Sequence, residues 1–203
     1  MPPSEPASDA SLDNDVSDTS GALAGRRVLV CVTGGIAAYK TCYVVSALAQ
    51  RGAEVTCAMT RAATKFVGPL TFEALSGREV LTSRWRSRSH DPQHIHLAES
   101  AEVVLVAPAT ANTIAKLATG LADDLVSTLM LVVRCPVLIA PSMNDRMWTH
   151  LTVQRNIETL KSDGHKIIGP AEGWMACRSV GIGRMAEPDE IVTEVEAILK
   201  SAL

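Results

Sequence analysis

The chain has no Cys-x-x-Cys pair, no basic tract, no Gly-x-Gly-x-x-Gly and no apolar run longer than a strand. Its five cysteines, Cys31, Cys42, Cys57, Cys135 and Cys177, are odd in number and scattered, which excludes a disulfide framework and a thiolate zinc site. Four of them lie in apolar segments and are expected as buried fillers; Cys177, in a glycine-containing loop, is the exception. A net charge of -3 without clustered bases speaks against a nucleic-acid surface. The longest apolar runs, such as residues 103–107, fall far short of a membrane span. Residues 1–25 carry five acids, no base and no apolar run, so they are expected to be a disordered tail rather than a secretory or transit signal. The chain as a whole is 47% hydrophobic, and what remains, residues 26–203, has the length of one cytoplasmic globular domain. No internal repeat is visible.

Within that domain, short apolar runs alternate with helical spacing. Residues 27–32 form a continuous apolar strand of the buried parallel kind. Thr33-Gly34-Gly35-Ile36-Ala37-Ala38-Tyr39-Lys40 then turns it into a helix ending near Gly52. Paired glycines at such a turn let backbone amides approach an anion at a helix N-terminus; a tight turn without a ligand is the alternative. The next strand, residues 54–59, ends in Met59-Thr60 and lacks the acid that a dinucleotide's ribose would require, so a phosphate-bearing mononucleotide is the better match. Short helices are expected at 61–66 and 71–75, a long polar loop at 79–93, and a helix from His94. His94 and His96 stand two apart and cannot share a helix face, so no metal site is expected.

The strand at 103–107 exits into Pro108-Ala109-Thr110-Ala111-Asn112-Thr113. One hydroxyl or amide suffices to cap the following helix, and three are present, so contacts to a ring or phosphate are open beside capping. Gly120 ends that helix, residues 123–133 form another, and the strand 137–140 leads into Pro141-Ser142-Met143-Asn144-Asp145-Arg146-Met147-Trp148. Asn144 there is both a candidate helix cap and a polar group in an apolar collar. A helix at 152–163, a strand at 165–168 and a final helix at 189–199 complete the pattern. Between them, residues 172–188 are expected as a long loop that closes over a substrate as a flap; an ordered loop packed on the sheet is the alternative. The alternation predicts an α/β three-layer sandwich around a mostly parallel, Rossmann-like sheet.

Taken together, Gly34-Gly35-Ile36-Ala37, His94-Ile95-x-Leu97, the 108–113 motif, Pro141-x-Met143-Asn144-x-x-Met147-Trp148, and Ala176-Cys177 followed by Gly181-x-Gly183-Arg184-Met185-Ala186-Glu187-Pro188 resemble the flavin-containing cysteine decarboxylases. That family includes enzymes acting on 4'-phosphopantothenoylcysteine in coenzyme A biosynthesis and others acting on the C-terminal cysteine of ribosomally made peptides. The resemblance implies a flavodoxin-type sheet and FMN held by Gly34, Gly35, Ile36, Thr60, Thr110, Ala111, Asn112, Thr113 and Met143. It further implies His94 as catalytic base, Asn144, Met147 and Met185 at the substrate, Cys177 as a second catalytic residue, and a homotrimer or dodecamer with the flavin at a subunit interface. Two departures bear on the substrate. Arg178 stands where the family pattern has glycine after the cysteine, and no synthetase segment follows within the sequence. On these grounds a peptide C-terminal cysteine is the expected substrate and 4'-phosphopantothenoylcysteine the alternative. A prenyl-flavin synthase shares the fold but would not be expected to carry the Asn144 motif or Cys177, and a noncatalytic flavoprotein regulatory subunit, which also shares it, is opposed by the intact His94, Asn144 and Cys177.

Overall fold

In a computed structural model, residues 21–83, 93–176 and 178–201 are described, with the backbone alone at Gln93 and His94. The runs at β1 (Arg27–Val32), β3 (Val103–Ala109) and β4 (Val137–Pro141) are almost wholly buried, because each is covered by helices on both faces. With β2 (Glu54–Met59) and β5 (Lys166–Ile167) they form a sheet of order β2-β1-β3-β4-β5, every pairing parallel. This is the flavodoxin order, whose ligand crevice lies where the winding reverses, between β1 and β3.

Alternation along the strands sorts side chains into two cores. Val28, Val30 and Val32 face one layer with Val44, Val45 and Leu48 of α1 (Ala38–Gln50), Phe72 of α2 (Pro69–Ser76), and Ile191, Val195 and Leu199 of α8 (Pro188–Ser201). Leu29 and Cys31 face the other, with Ala98 of α3 (Gln93–Ser100), Ile114 of α4 (Ala111–Thr119), Leu129 of α5 (Leu125–Val132) and Leu160 of α7 (Leu151–Ser162). Burying one leucine-sized side chain is worth about 1.5–3 kcal/mol, so these two faces hold the layers together. Of the cysteines expected as fillers, Cys31 and Cys57 are buried, whereas Cys42 and Cys135 are partly exposed.

Three sequence expectations shift. The ordered chain begins before Arg26: Leu23 is buried and its N–H donates to Arg51 O at 2.9 Å, so part of the expected tail packs under α1; residues 1–20 lie outside the described residues. The polar loop begins later than residue 79, because Leu81 exchanges backbone hydrogen bonds with Cys57 and Met59 at the edge of β2; residues 84–92 of that loop lie outside the described residues. Most consequentially, the expected flap at 172–188 contains an antiparallel hairpin, β6 (Ala171–Trp174) and β7 (Val180–Arg184). Its glycines serve close approach. A Cβ on Gly181 would lie 3.0 Å from Asp145 Cβ, and one on Gly183 would lie 2.1 Å from Met143 O.

Candidate functional site

A cavity of about 1190 Å³ opens at the switch point, large enough for a cofactor and a substrate together. Its floor is the glycine turn after β1 and the loop after β3. Thr33, itself buried, joins them: its Oγ1 donates to Pro108 O at 2.5 Å and accepts the Thr110 N–H at 3.3 Å. Gly34 has no room for a side chain, since a Cβ there would lie 2.4 Å from Ala62 Cβ. The turn before α1 already takes up its first amides, Ala38 N–H donating to Gly35 O at 3.0 Å and Lys40 N–H to Ala37 O at 2.9 Å, and residues at the starts of both α1 and α4 line the cavity. Two helix N-termini therefore present positive dipole ends to one space.

Capping and ligand-lining prove compatible. Thr110 caps α4, its Oγ1 accepting the Thr113 N–H at 3.3 Å and sharing a 3.1 Å hydrogen bond with Thr113 Oγ1, and both residues still line the cavity. Asn144 Oδ1 accepts the Arg146 N–H at 3.0 Å, starting the single turn α6 (Asp145–Trp148), and Asn144 also faces the cavity with Met143 and Met147. The hairpin supplies a third wall through Trp174, Met175, Arg178 and Gly183. It is docked by Met143 N–H donating to Gly183 O at 2.9 Å.

The polar wall is charged. Lys40 Nζ donates to both carboxylate oxygens of Glu187 at 2.8 and 2.9 Å, and Arg184 donates to the same carboxylate at 2.8 Å. The Lys40 hydrogen bond holds the Glu187 carboxyl below its ordinary range despite some desolvation. Lys116 pairs with Asp123 at 2.6 Å and Asp124 at 2.7 Å. Burial pushes the Asp124 carboxyl up, but Lys116 and Ser127 outweigh it and hold it below its ordinary range.

The structure thus gathers around one cavity every residue expected to hold FMN (Gly34, Gly35, Ile36, Thr60, Thr110, Ala111, Asn112, Thr113, Met143) and the expected substrate residues Asn144, Met147 and Met185. Met185 is also a core residue, 1% exposed, so it contributes to the floor rather than to a mobile flap. His94 stands in the first turn of α3, its side chain outside the described residues, and Cys177 likewise lies outside them. Sequence reasoning missed Thr33, Lys40, Arg61, Lys116 and Asp124. Lys40 carries a legible signal: a lysine among Ala37, Ala38, Thr41 and Val44, a helix stretch otherwise spaced for burial. No group of three metal-ligating side chains occurs among the described residues.

A family model described as Flavoprotein matches residues 16–200. The coenzyme A biosynthesis bifunctional protein CoaBC of Bacillus subtilis (strain 168) is 49% identical over 175 residues, covering 86% of this chain and 43% of that protein. The chain thus spans less than half the length of this relative. Among solved structures, the FMN-dependent cysteine decarboxylase SpaF superposes with a TM-score of 0.78 at 31% identity, covering 88% of this chain and 98% of that one. A cysteine-to-serine variant of PPC decarboxylase complexed with pantothenoylaminoethenethiol superposes with a TM-score of 0.77 at 29% identity, covering 87% and 99%. With its flavodoxin-order sheet and its cavity at the β1/β3 crevice, this chain belongs to the Flavoprotein family.

Proposed function

We propose that this chain decarboxylates 4'-phosphopantothenoylcysteine to 4'-phosphopantetheine, with FMN as cofactor. The observation that carries the reading is the 49% identity to a coenzyme A biosynthesis protein, against 31% to the cysteine decarboxylase SpaF. The peptide substrate expected from the sequence is therefore the less well supported of the two. Arg178 is compatible with either substrate, and where this sequence ends says nothing about the substrate.

The cavity fits FMN on its own features. Two helix N-termini suit the phosphate, Thr60, Thr110, Asn112 and Thr113 suit the polar chain, and Ile36 and Met143 offer apolar surface for the ring. Bound there, FMN supplies a two-electron acceptor that can take a hydride from the substrate's β-carbon and return it. The chain's own residues do the rest. Asn144 holds the substrate carboxylate by amide hydrogen bonds, without an ion pair that would stabilise the ground state against loss of carbon dioxide. Met143 and Met147 keep water from the reacting end. His94 is assigned to take the thiol proton at its imidazole, and Cys177 to deliver a proton to the carbon left by carbon dioxide; both assignments rest on the family resemblance. The net change consumes one proton, releases one carbon dioxide and needs no external oxidant.

A homotrimer, or a dodecamer built from trimers, is part of the proposal. Supporting it, Ile36 in the turn before α1 and Tyr39 and Tyr43, one helical turn apart on α1, are each more than half exposed, and Ile36 and Tyr39 also line the cavity. No described helix is long and apolar enough to cross a membrane, and a cytoplasmic location is proposed. The test is side-by-side incubation of the purified flavoprotein with 4'-phosphopantothenoylcysteine and with peptides ending in cysteine, read by mass spectrometry. A product lighter by one carbon dioxide, from the first substrate only, supports the reading; a peptide lighter by carbon dioxide and two hydrogens overturns it.

A further inference from the structure

The tip of the hairpin carries an unusual residue. Arg178 has φ 63, and it is the one non-glycine residue with positive φ among those described. Its N–H donates to Met175 O at 2.9 Å, and Met175 N–H donates to Ser179 O at 2.9 Å. That pairing is the geometry of a three-residue hairpin loop ending in a left-handed residue. Glycine adopts that conformation freely, whereas a side chain there crowds the following carbonyl. Arginine at this position works against the turn, and strained residues of this kind cluster at active sites and ligand clamps.

Lys40 and Arg184 share Glu187, and Lys116 is held by Asp123 and Asp124. Two cavity-lining guanidiniums, Arg61 and Arg178, form no ion pair among the described residues. Arg61 follows Thr60, on the side with the glycine turn. Arg178 is on the hairpin wall with Met175, and that hairpin is joined to the Asn144 segment through the Gly183–Met143 hydrogen bond. Arg178 is thus the unpaired cation of the substrate side. A guanidinium presents a planar fork matched to carboxylates and phosphomonoesters.

We propose that Arg178 is a specificity-determining residue that binds an oxyanion of the substrate at the cavity mouth. The proposal rests on the decarboxylase reading above, whose substrate carries two candidate oxyanions, a carboxylate and a phosphomonoester. Both are fork-compatible, so the shared chemistry is an oxyanion on a phosphopantothenoyl-type thiol.

The test uses the flavin-loaded protein, its Arg178→Gly and Arg178→Lys variants, and three probes: 4'-phosphopantetheine, which keeps only the phosphate, pantothenoylcysteine, which keeps only the carboxylate, and pantetheine, which has neither. Dissociation constants come from calorimetry and unfolding temperatures from scanning fluorimetry. Arg178→Gly should unfold at a higher temperature than the parent, because the left-handed strain is gone. The same variant should bind one anionic probe on the order of tenfold more weakly with pantetheine unchanged, and the affected probe names the oxyanion. Arg178→Lys, retaining charge without the fork, should fall between. Equal affinity of Arg178→Gly and parent for all three probes overturns the assignment, as does an equal loss on all three, which marks a structural role. Binding of none of the probes by the parent overturns the decarboxylase reading and this inference with it, which separates the two failures.

Discussion

Met143 and Gly183 meet backbone to backbone: the Met143 N–H donates to Gly183 O at 2.9 Å, and a Cβ on Gly183 would stand 2.1 Å from Met143 O. This contact, with the close approach of Gly181 to Asp145, fixes the hairpin to the Asn144 loop, so both walls of the cavity share a position. In Gly183→Ala the hairpin must lift away, because the atom opposed to the new methyl group is backbone. Overpacking of this kind costs about 1–3 kcal/mol, and displacement of about 1 Å at a reacting site costs about a hundredfold in rate. Urea unfolding and steady-state kinetics should show both losses; parent-like turnover would mean the two walls are not rigidly joined.

Asn144 has two separable tasks. Aspartate caps a helix as well as asparagine does, so Asn144→Asp should keep α6 and the unfolding temperature. It also brings a negative charge to the place assigned to the substrate carboxylate. Activity should fall by about a hundredfold or more, mainly through KM, like charges at an interface costing several kcal/mol. A variant that loses stability along with activity would reduce Asn144 to a cap.

Glu187 makes stability depend on acid. Its pKa is depressed by the hydrogen bond from Lys40, so its contribution is complete above the unfolded glutamate value of about 4.3 and is lost as pH falls through the lower folded value. The carboxylate is about half exposed, which limits the contribution to about 1 kcal/mol or less. Urea titrations of parent and Glu187→Gln should therefore differ at neutral pH, draw together as pH falls below the unfolded glutamate value, and converge only below the depressed folded value. A difference that persists in acid would show that the ion pair is not its source.

The layers of this fold were legible because their cause is local. β1, β3 and β4 are apolar on both faces, and only a sheet covered twice requires that; Gly120 and Thr110 mark their helix ends by backbone conformation and capping. The hairpin was not legible, because Gly173, Gly181 and Gly183 look the same in sequence whether they permit motion or admit a neighbour. Only the positions of Asp145 and Met143 show that Gly181 and Gly183 admit neighbours. The same holds for the charged wall: Lys40 and Glu187 are 147 residues apart, and no spacing rule connects them. The uncapped surplus at Asn112 and the collar of Met143 and Met147 were readable as a ligand site, since exposed polar and apolar groups in one loop need a third party.

Tyr43 offers a test of assembly. It stands on the exposed side of α1 with Tyr39, whereas Val44, Val45 and Leu48 of the same helix are buried in the core. Tyr43→Glu should leave the monomer folded by circular dichroism while light scattering detects a smaller species than the parent, with flavin lost in step if the site is completed at the interface. An unchanged mass would place the interface elsewhere.

The most direct measurement of the central claim is turnover of 4'-phosphopantothenoylcysteine by the flavin-loaded protein under strict exclusion of oxygen. The account predicts many molecules of 4'-phosphopantetheine per enzyme, because the hydride taken from the substrate is returned to it. His94→Asn should slow that reaction by roughly a hundredfold to ten-thousandfold. A reaction that stops after one equivalent, leaving an enethiol and a bleached flavin, would contradict the account and return the chain to the oxidative class of cysteine decarboxylation.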